Sequence, residues 1–175
     1  MILYHGTDRV SADNIISRGV DIYCGNSRSD FGQGFYTTPD IRMAESWARR
    51  KGIFTRGAVV SFVFDESVLQ SCVRARVFES ADLIWAQFVA NNRNGISYAR
   101  RMRMADNNLM GQYDLVVGPT ADGDVANITR RLEKAVEPVS QDVLSEFVKK
   151  RLSLQYSFHS HEAVTLLLNP RIRLI

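Results

Sequence analysis

Short runs of β-branched and aromatic residues occur along the whole chain, and this distribution constrains the fold most strongly. The run Ala58 to Phe64 (AVVSFVF) is typical of a buried strand, and Val73 to Phe78 alternates charged and apolar residues as a half-exposed strand does. The other strand-type runs are Ile2 to Tyr4, Phe35 to Thr38, Tyr113 to Val117 and Leu154 to His159. Strands at both ends with helical patterns between them predict an α+β fold, as one domain over residues 1–175.

Helical patterns separate these strands. Ser11 is the expected N-cap of a first helix that Gly19 ends, and Pro39 or Asp40 is the expected start of a second helix through about Arg50. The later predicted helices are Asp82 to Ala90, Asn127 to Val136, Asp142 to Leu152 and Glu162 to Leu168. Trp85 and Phe88 lie three residues apart on the first of these, a spacing that favours core packing over a cofactor site.

Composition excludes several classes of protein. The 175 residues are 45% hydrophobic and 23% charged, and the net charge of +3 is small for a dedicated nucleic-acid-binding protein, although it permits an anionic substrate. Cys24 and Cys72 have no metal-ligand spacing and favour reduced thiols, with a disulfide as the minor alternative. The start MILYHGT lacks signal-peptide character, and no apolar run approaches the ~20 residues of a membrane span. We therefore expect a cytoplasmic protein without a membrane segment.

Two short segments are candidates for ligand binding. His5 follows a short apolar run and precedes Gly6, so its ring nitrogen and the glycine backbone can approach the same ligand. A structural histidine bonded to a nearby carbonyl is an equal alternative. The second segment, Phe31 to Asp40 (FGQGFYTTPD), has two glycines followed by an aromatic pair, and it fits either a bent strand or a ligand-holding surface.

Together, His5-Gly6-Thr7 and Phe31 to Tyr36 (FGQGFY) resemble motifs of the ADP-ribosyltransferase superfamily, in the branch of diphtheria toxin and the poly(ADP-ribose) polymerases. The polymerases have a second aromatic eleven positions after the tyrosine, and Trp47 occupies that position here. The resemblance implies a split, mixed β-sheet core with surrounding helices. It also implies NAD as co-substrate and no metal.

The resemblance assigns roles to four of the matching residues. The backbone of Gly6 binds the nicotinamide carboxamide, Tyr36 and Trp47 stack on its ring, and His5 bonds a ribose hydroxyl. The implied NAD-binding set is His5, Gly6, Thr7, Gly34, Tyr36 and Trp47. A serine that contacts the carboxamide in the polymerases falls on Ala44 here, so that contact is expected to be missing.

The late strand departs from the family pattern. Gln155 in LQYSFHS lies where the family has a catalytic glutamate, so the implied catalytic set is His5, Tyr36 and Gln155. Glutamine hydrogen-bonds a ribose hydroxyl but cannot act as a general base, which favours single-unit transfer over polymer synthesis. A second registration, from the arginine-specific branch, places Ser157 at the catalytic position and is chemically poorer.

Nearly the whole chain resembles a bacterial family of ADP-ribosyltransferase-like proteins, through Tyr4 to Thr7, Asp30 to Thr38, Tyr113 to Pro119 and Gln155 to Ser160. Members resemble toxins of toxin–antitoxin pairs. The resemblance therefore implies an NAD-dependent mono-ADP-ribosyltransferase, a small antitoxin as partner, and a protein or nucleic acid as acceptor.

Other activities and other residues also have to be considered. The alternative activities are an inactive NAD or ADP-ribose binding module, an NAD glycohydrolase, and nucleic-acid binding through the cluster Arg100 to Arg103. His159 and His161 flank Ser160, but without further ligands at suitable spacing they are expected to be surface histidines and not a metal site.

Overall fold

The computed structural model describes residues 1–70, 73–101, 106–121 and 152–175. In chain order the elements are β1 (Ile2–Asp8), α1 (Arg9–Arg18), β2 (Phe35–Thr37), α2 (Ile41–Lys51), β3 (Gly57–Val63), β4 (Ala75–Val77), α3 (Leu83–Asn94), α4 (Ile96–Arg101), β5 (Leu115–Pro119), β6 (Leu154–Phe158), α5 (His161–Val164) and β7 (Leu168–Leu174). This arrangement confirms the α+β class. The predicted helix Asn127 to Val136, the predicted helix Asp142 to Leu152 except its last residue, and Arg103 of the Arg100 to Arg103 cluster lie outside the described residues.

Within the described residues the strands form two sheets, with strand orders β1-β3-β7 and β2-β6-β5-β4. The first sheet is antiparallel, whereas β4 and β5 pair in parallel in the second. A bridge between Tyr4 and Thr38 joins β1 to β2 through two backbone hydrogen bonds of 2.8 and 2.9 Å. Beyond this bridge, β1 pairs with β3 and β2 pairs with β6, so a cleft opens between the two sheets.

Aromatic side chains fill the core on both faces of the second sheet. Phe31, Phe78, Trp85 and Phe88 pack together on one face, and Phe35, Phe62, Phe64 and Phe158 pack on the other. Trp85 is fully buried, and its indole N–H donates to the carbonyl oxygen of Pro119 at 3.1 Å. Trp85 and Phe88 are therefore core residues, as the sequence predicts.

The start of the chain differs from the prediction. The first strand does not end at Tyr4; β1 continues to Asp8, because its pairing with β3 extends to Asp8 opposite Gly57. The N-cap of α1 is Asp8, not Ser11, since the Asp8 carboxylate accepts hydrogen bonds from both the N–H and the hydroxyl of Ser11. The ends predicted at Gly19 for α1 and at Asp40 for α2 are confirmed.

The later elements also differ in extent. Helix α3 runs four residues past the predicted end at Ala90, to Asn94, and Gly95 forms its C-cap. The helix predicted over Glu162 to Leu168 is the shorter α5, and Leu168 instead begins β7, a strand absent from the prediction. β7 contains Pro170 and lies at the edge of the first sheet. Proline has no backbone N–H, and edge strands tolerate it because their outer side has no neighbouring strand to hydrogen-bond. None of the described helices is long and apolar enough to cross a membrane.

Candidate functional site

The cleft between the two sheets contains a cavity of about 530 Å³. Five of the residues that the sequence predicts for the site line it: His5, Gly6, Tyr36, Trp47 and Gln155. The remaining wall is polar or charged and consists of Asn26, Ser29, Asp30, Arg50 and Lys51. The other two predicted residues, Thr7 and Gly34, line a second cavity of about 330 Å³, which shares His5, Gly6 and Tyr36 with the first.

The backbone of Gly6 borders the cleft on the side away from β3. In an antiparallel pair, alternate residues turn their N–H and C=O groups to the same side. Tyr4 directs both groups to Thr38 of β2, so Gly6, two residues later, directs its groups to that side too. Because β2 has diverged at this point, the peptide groups of Gly6 offer one donor and one acceptor to the cleft.

Helix α2 occupies the space that the missing side chain of Gly6 leaves. A Cβ built on Gly6 lies 1.9 Å from the carbonyl oxygen of Ala44 and 2.9 Å from the backbone nitrogen of Ala48. Both alanines are fully buried. The absent side chain of Gly6 therefore makes room for α2, and this contact fixes the helix that carries Trp47 over the cavity.

His5 has a defined tautomer. Its Nδ1 lies 2.6 Å from the carbonyl oxygen of Tyr36, which can only accept a hydrogen bond, so Nδ1 carries the proton. Burial lowers the pKa of His5 to about 4, against the raising effect of the bond to Tyr36 and with a small further lowering by Lys51. The ring is therefore neutral near pH 7 and offers Nε2 as an acceptor, while Phe35 stacks on it with centroids 4.3 Å apart.

Tyr36 connects the wall of the cleft to the glycine-containing loop before it. Its hydroxyl donates to the carbonyl oxygen of Gly32 at 2.7 Å and accepts from the N–H of Phe31 at 3.0 Å. Burial, and then the nearby charge of Asp30, raises the pKa of the Tyr36 hydroxyl above its ordinary value. The phenol is thus a neutral anchor whose orientation the loop fixes, and proton transfer by it is disfavoured.

Gln155 lies on β6 in the wall of the cleft and is 4% exposed. Its Nε2 donates to Asp30 Oδ2 at 2.9 Å and to the carbonyl oxygen of Pro119 at 3.3 Å. Both partners are acceptors, so the amide orientation is chemically determined and Oε1 remains as its acceptor. Ser157, the alternative catalytic position, is fully buried and is not among the residues that line the cavity.

Sequence reasoning missed Asp30 and the pair Arg50 and Lys51 as parts of this wall. Asp30 directly precedes the FGQGFY segment and is the first residue of the matched segment Asp30 to Thr38, and this position could have indicated that it belongs to the site. Arg50 and Lys51 end α2 one turn after Trp47, and helical spacing places them near it. The two cations give the cavity a positive side that suits an anionic ligand.

His159 is partly buried at the junction between β6 and α5, where the sequence predicts a surface histidine. Its Nδ1 lies 2.8 Å from the carbonyl oxygen of Gln33, and burial lowers its pKa to about 4. A Cβ on Gly34 would lie 2.6 Å from the same nitrogen, so Gly34 permits this close packing. His161 is exposed.

In the part of the chain that the structure describes, no group of three or more His, Cys, Asp or Glu is placed to hold a metal ion.

The two partly buried histidines, His5 and His159, predict an acid-sensitive fold. Their pKa values of about 4 lie below the ordinary 6.5, so the unfolded chain binds more protons between pH 6.5 and 4. Stability is then present above pH 6.5 and falls as pH drops through this window, by up to about 1.4 kcal/mol per pH unit for each histidine. We expect urea midpoints measured from pH 7 to 4.5 to fall less steeply in His5→Asn and His159→Asn than in the unsubstituted protein. His161→Asn is the exposed control, and equal slopes in all variants would contradict the assignment.

Comparison with known proteins identifies the family without a function. The fold and cleft define an α+β protein with a polar cavity between two sheets. The chain belongs to the family DUF3990, whose description is "protein of unknown function" and whose family model matches residues 1–168. No curated protein and no solved structure matches the chain.

Proposed function

We propose that the protein is an NAD-dependent mono-ADP-ribosyltransferase with an ADP-ribosyltransferase-like fold. The observation that carries the proposal is the convergence of His5, Gly6, Tyr36, Trp47 and Gln155 on one cavity. These residues belong to β1, β2, α2 and β6, and the sequence motifs predict them without any knowledge of the fold. Residues chosen at random from four elements would not be expected to line the same cavity. The division of the strands into two sheets with a cleft between them also supports the proposed fold.

The cleft has the groups that nicotinamide riboside binding needs. A carboxamide requires one donor and one acceptor, which the N–H and C=O of Gly6 supply. Tyr36 and Trp47 provide aromatic surface for the flat ring. Nε2 of the neutral His5 and Oε1 of Gln155 accept hydrogen bonds from ribose hydroxyls, and Arg50 and Lys51 attract the diphosphate.

The proposed reaction breaks the bond between nicotinamide N1 and ribose C1′. The electron pair goes to nicotinamide, which leaves neutral, and C1′ becomes oxocarbenium-like. An oxygen or nitrogen of the macromolecular acceptor then forms the new bond to C1′ and releases its proton to solvent. Gln155 orients the ribose but does not accept this proton, so the proposed product carries a single ADP-ribose unit and not a polymer.

Two other activities share this site and differ in their products. An NAD or ADP-ribose binding module without turnover is favoured by the glutamine at position 155, because an amide supplies no general base. An NAD glycohydrolase would use water as the acceptor. These activities separate on two measurements: whether nicotinamide is released, and whether ADP-ribose is found on a macromolecule.

Incubation with NAD labelled in its adenylate portion tests the proposal. We expect labelled protein or nucleic acid in a cell extract together with one equivalent of free nicotinamide. Gln155→Ala should lower kcat about 10-fold or more while KM for NAD changes little, because the lost contact acts on the developing charge. Free nicotinamide with label on no macromolecule would identify a glycohydrolase, and neither product would contradict the enzyme.

The same variant tests the toxin role, which we propose on the motif resemblance alone. Induced expression of the unsubstituted chain is expected to arrest bacterial growth, and Gln155→Ala is expected to relieve the arrest at an equal protein level. A small antitoxin would then be sought as the protein that restores growth when co-expressed. Arrest of equal strength by both chains would contradict a toxicity that depends on this site.

A further inference from the structure

Asp30 is the centre of a buried hydrogen-bond network at the wall of the cleft. Its side chain is 16% exposed and forms an ion pair with Arg93 of α3 at 2.6 Å. Arg93 Nε and a terminal guanidinium nitrogen both donate to Oδ1, at 3.1 and 2.6 Å. Oδ2 accepts from the N–H of Ala121 at 3.1 Å and from Gln155 Nε2 at 2.9 Å. One carboxylate therefore links α3, the chain after β5, and β6.

The contact with Gln155 distinguishes this network from an ordinary ion pair. Asp30 lines the same cavity as Gln155, so the carboxylate lies at the ligand-facing wall. A hydrogen bond to a charged acceptor is stronger than one between neutral groups, and it polarises the amide. The contact therefore fixes the rotation of the amide and increases the negative character of Oε1, the atom that remains for a ligand.

We propose that Asp30 is a positioning residue that supplies, through Gln155, the negative charge of this site. Asp30 and Gln155 together then supply the ribose contact and the negative charge of a carboxylate on β6: Oε1 contacts the ribose, and the Asp30 charge beside the amide stabilises the oxocarbenium-like carbon. This inference rests on the proposed function and assigns the charge to a residue to which the motif resemblance gives no role. It also gives a physical reason for glutamine at position 155.

A glutamate at position 155 would be placed within hydrogen-bond distance of the Asp30 carboxylate. Two carboxyl groups this close cannot both ionise readily, so one pKa rises strongly. Arg93 stabilises one negative charge, and the other charged or titratable groups of the cavity wall are His5, Tyr36, Arg50 and Lys51. Gln155→Glu is therefore not expected to raise activity, because the added carboxyl group has to compete with Asp30.

The test compares Asp30→Asn, Gln155→Glu and the double variant Asp30→Asn/Gln155→Glu, which exchanges the carboxylate and the amide. We expect Asp30→Asn to lower kcat for nicotinamide release about 10-fold or more with KM for NAD little changed. Gln155→Glu should also be slow at neutral pH. The double variant, with one carboxylate again in the pair, should recover about 10-fold relative to Asp30→Asn.

Arg93→Gln is the control for a purely structural role. It removes the same ion pair but keeps the carboxylate beside Gln155. If Asp30 acts only by holding α3 to the loop, Arg93→Gln and Asp30→Asn will lower kcat and thermal stability equally, and the double variant will recover nothing. That result would overturn the proposal.

A second readout requires no turnover. In Gln155→Glu the folded-state pKa of the shared pair is raised above the unfolded value, so stability is present at low pH and lost as pH rises through the folded pKa. We expect the urea midpoint of Gln155→Glu to fall between pH 4 and 8 relative to the unsubstituted protein, and this loss to disappear in the double variant. Absence of the shift would overturn the coupling of Asp30 to position 155.

The two readouts separate the two proposals. If the unsubstituted protein releases no nicotinamide, the proposed function fails, and the role of Asp30 in turnover fails with it. The pH shift would still establish the coupled pair. If nicotinamide is released and kcat is the same in Asp30→Asn, the proposed function stands and the role of Asp30 is wrong.

Discussion

Replacement of Gly6 by alanine is expected to lower the free energy of unfolding by about 3 kcal/mol. The new Cβ would lie 1.9 Å from the carbonyl oxygen of Ala44 and 2.9 Å from the backbone nitrogen of Ala48. Both are backbone atoms of α2, so no side chain can rotate to relieve the overlap, and β1 or α2 has to move. Urea unfolding followed by circular dichroism measures the loss.

Gly19→Ala is the matched control. Gly19 has φ of 87° and ψ of 179°, a conformation essentially restricted to glycine, and no heavy atom lies within 4 Å of a built Cβ, so alanine there meets backbone strain of about 1–3 kcal/mol without steric overlap. A smaller loss in Gly6→Ala than in Gly19→Ala would contradict direct packing of α2 on Gly6. A displaced α2 would also move Trp47, so Gly6→Ala is expected to weaken NAD binding even in the fraction that remains folded.

The parts of the fold that the sequence predicts correctly have local causes. Asp40 caps α2 by accepting hydrogen bonds from the N–H groups of Arg42 and Met43, a pattern visible within four residues. Strand β6 is predicted from alternation alone. The candidate site is also predicted from short motifs. Tyr36 and Trp47 lie on β2 and α2, which are consecutive elements, so their separation along the chain determines their relative positions.

The errors in the prediction of secondary structure depend on distant partners. The polar residues Asn91 and Asn92 were expected to follow the end of α3, but they are buried within it. Asn91 Nδ2 donates to the carbonyl oxygen of Asp106 at 2.9 Å, and Asn92 Oδ1 accepts from the N–H of Asn108 at 2.8 Å. These contacts pair Nδ2 of Asn91 and Oδ1 of Asn92, which would otherwise be costly to bury, whereas Oδ1 of Asn91 is buried without a hydrogen-bond partner. The partners lie 15 and 16 residues further along the chain, so the helical pattern itself does not predict them.

Asp30 escaped prediction for the same physical reason. Its partners Arg93 and Gln155 are 63 and 125 residues away, so only the folded chain brings them together. β7 was missed because its ladder partner, β3, is more than a hundred residues earlier, and because Pro170 interrupts its strand pattern. Motif spacing thus predicts the residues that face the proposed ligand, whereas the groups behind them follow from tertiary contacts.

Trp47→Ala is expected to weaken NAD binding about 10-fold while the protein stays folded. Stacking and the burial of an aromatic face together contribute on the order of 1.4 kcal/mol, which corresponds to that factor. Trp47 lies half-buried on α2 at the cavity, so its removal leaves the core in place. Isothermal titration calorimetry with NAD measures the change, and Trp47→Phe should retain most of the affinity.

ADP-ribose makes this measurement specific to the nicotinamide. It lacks the nicotinamide ring, so its affinity should be the same for Trp47→Ala and the unsubstituted protein if Trp47 is a wall of the nicotinamide slot. Phe54→Ala is the matched control, because Phe54 is an aromatic 95% exposed shortly after α2 and outside the residues that line the cavity. An equal loss of affinity for NAD and ADP-ribose would place Trp47 against another part of the ligand, and unchanged NAD affinity would contradict the slot.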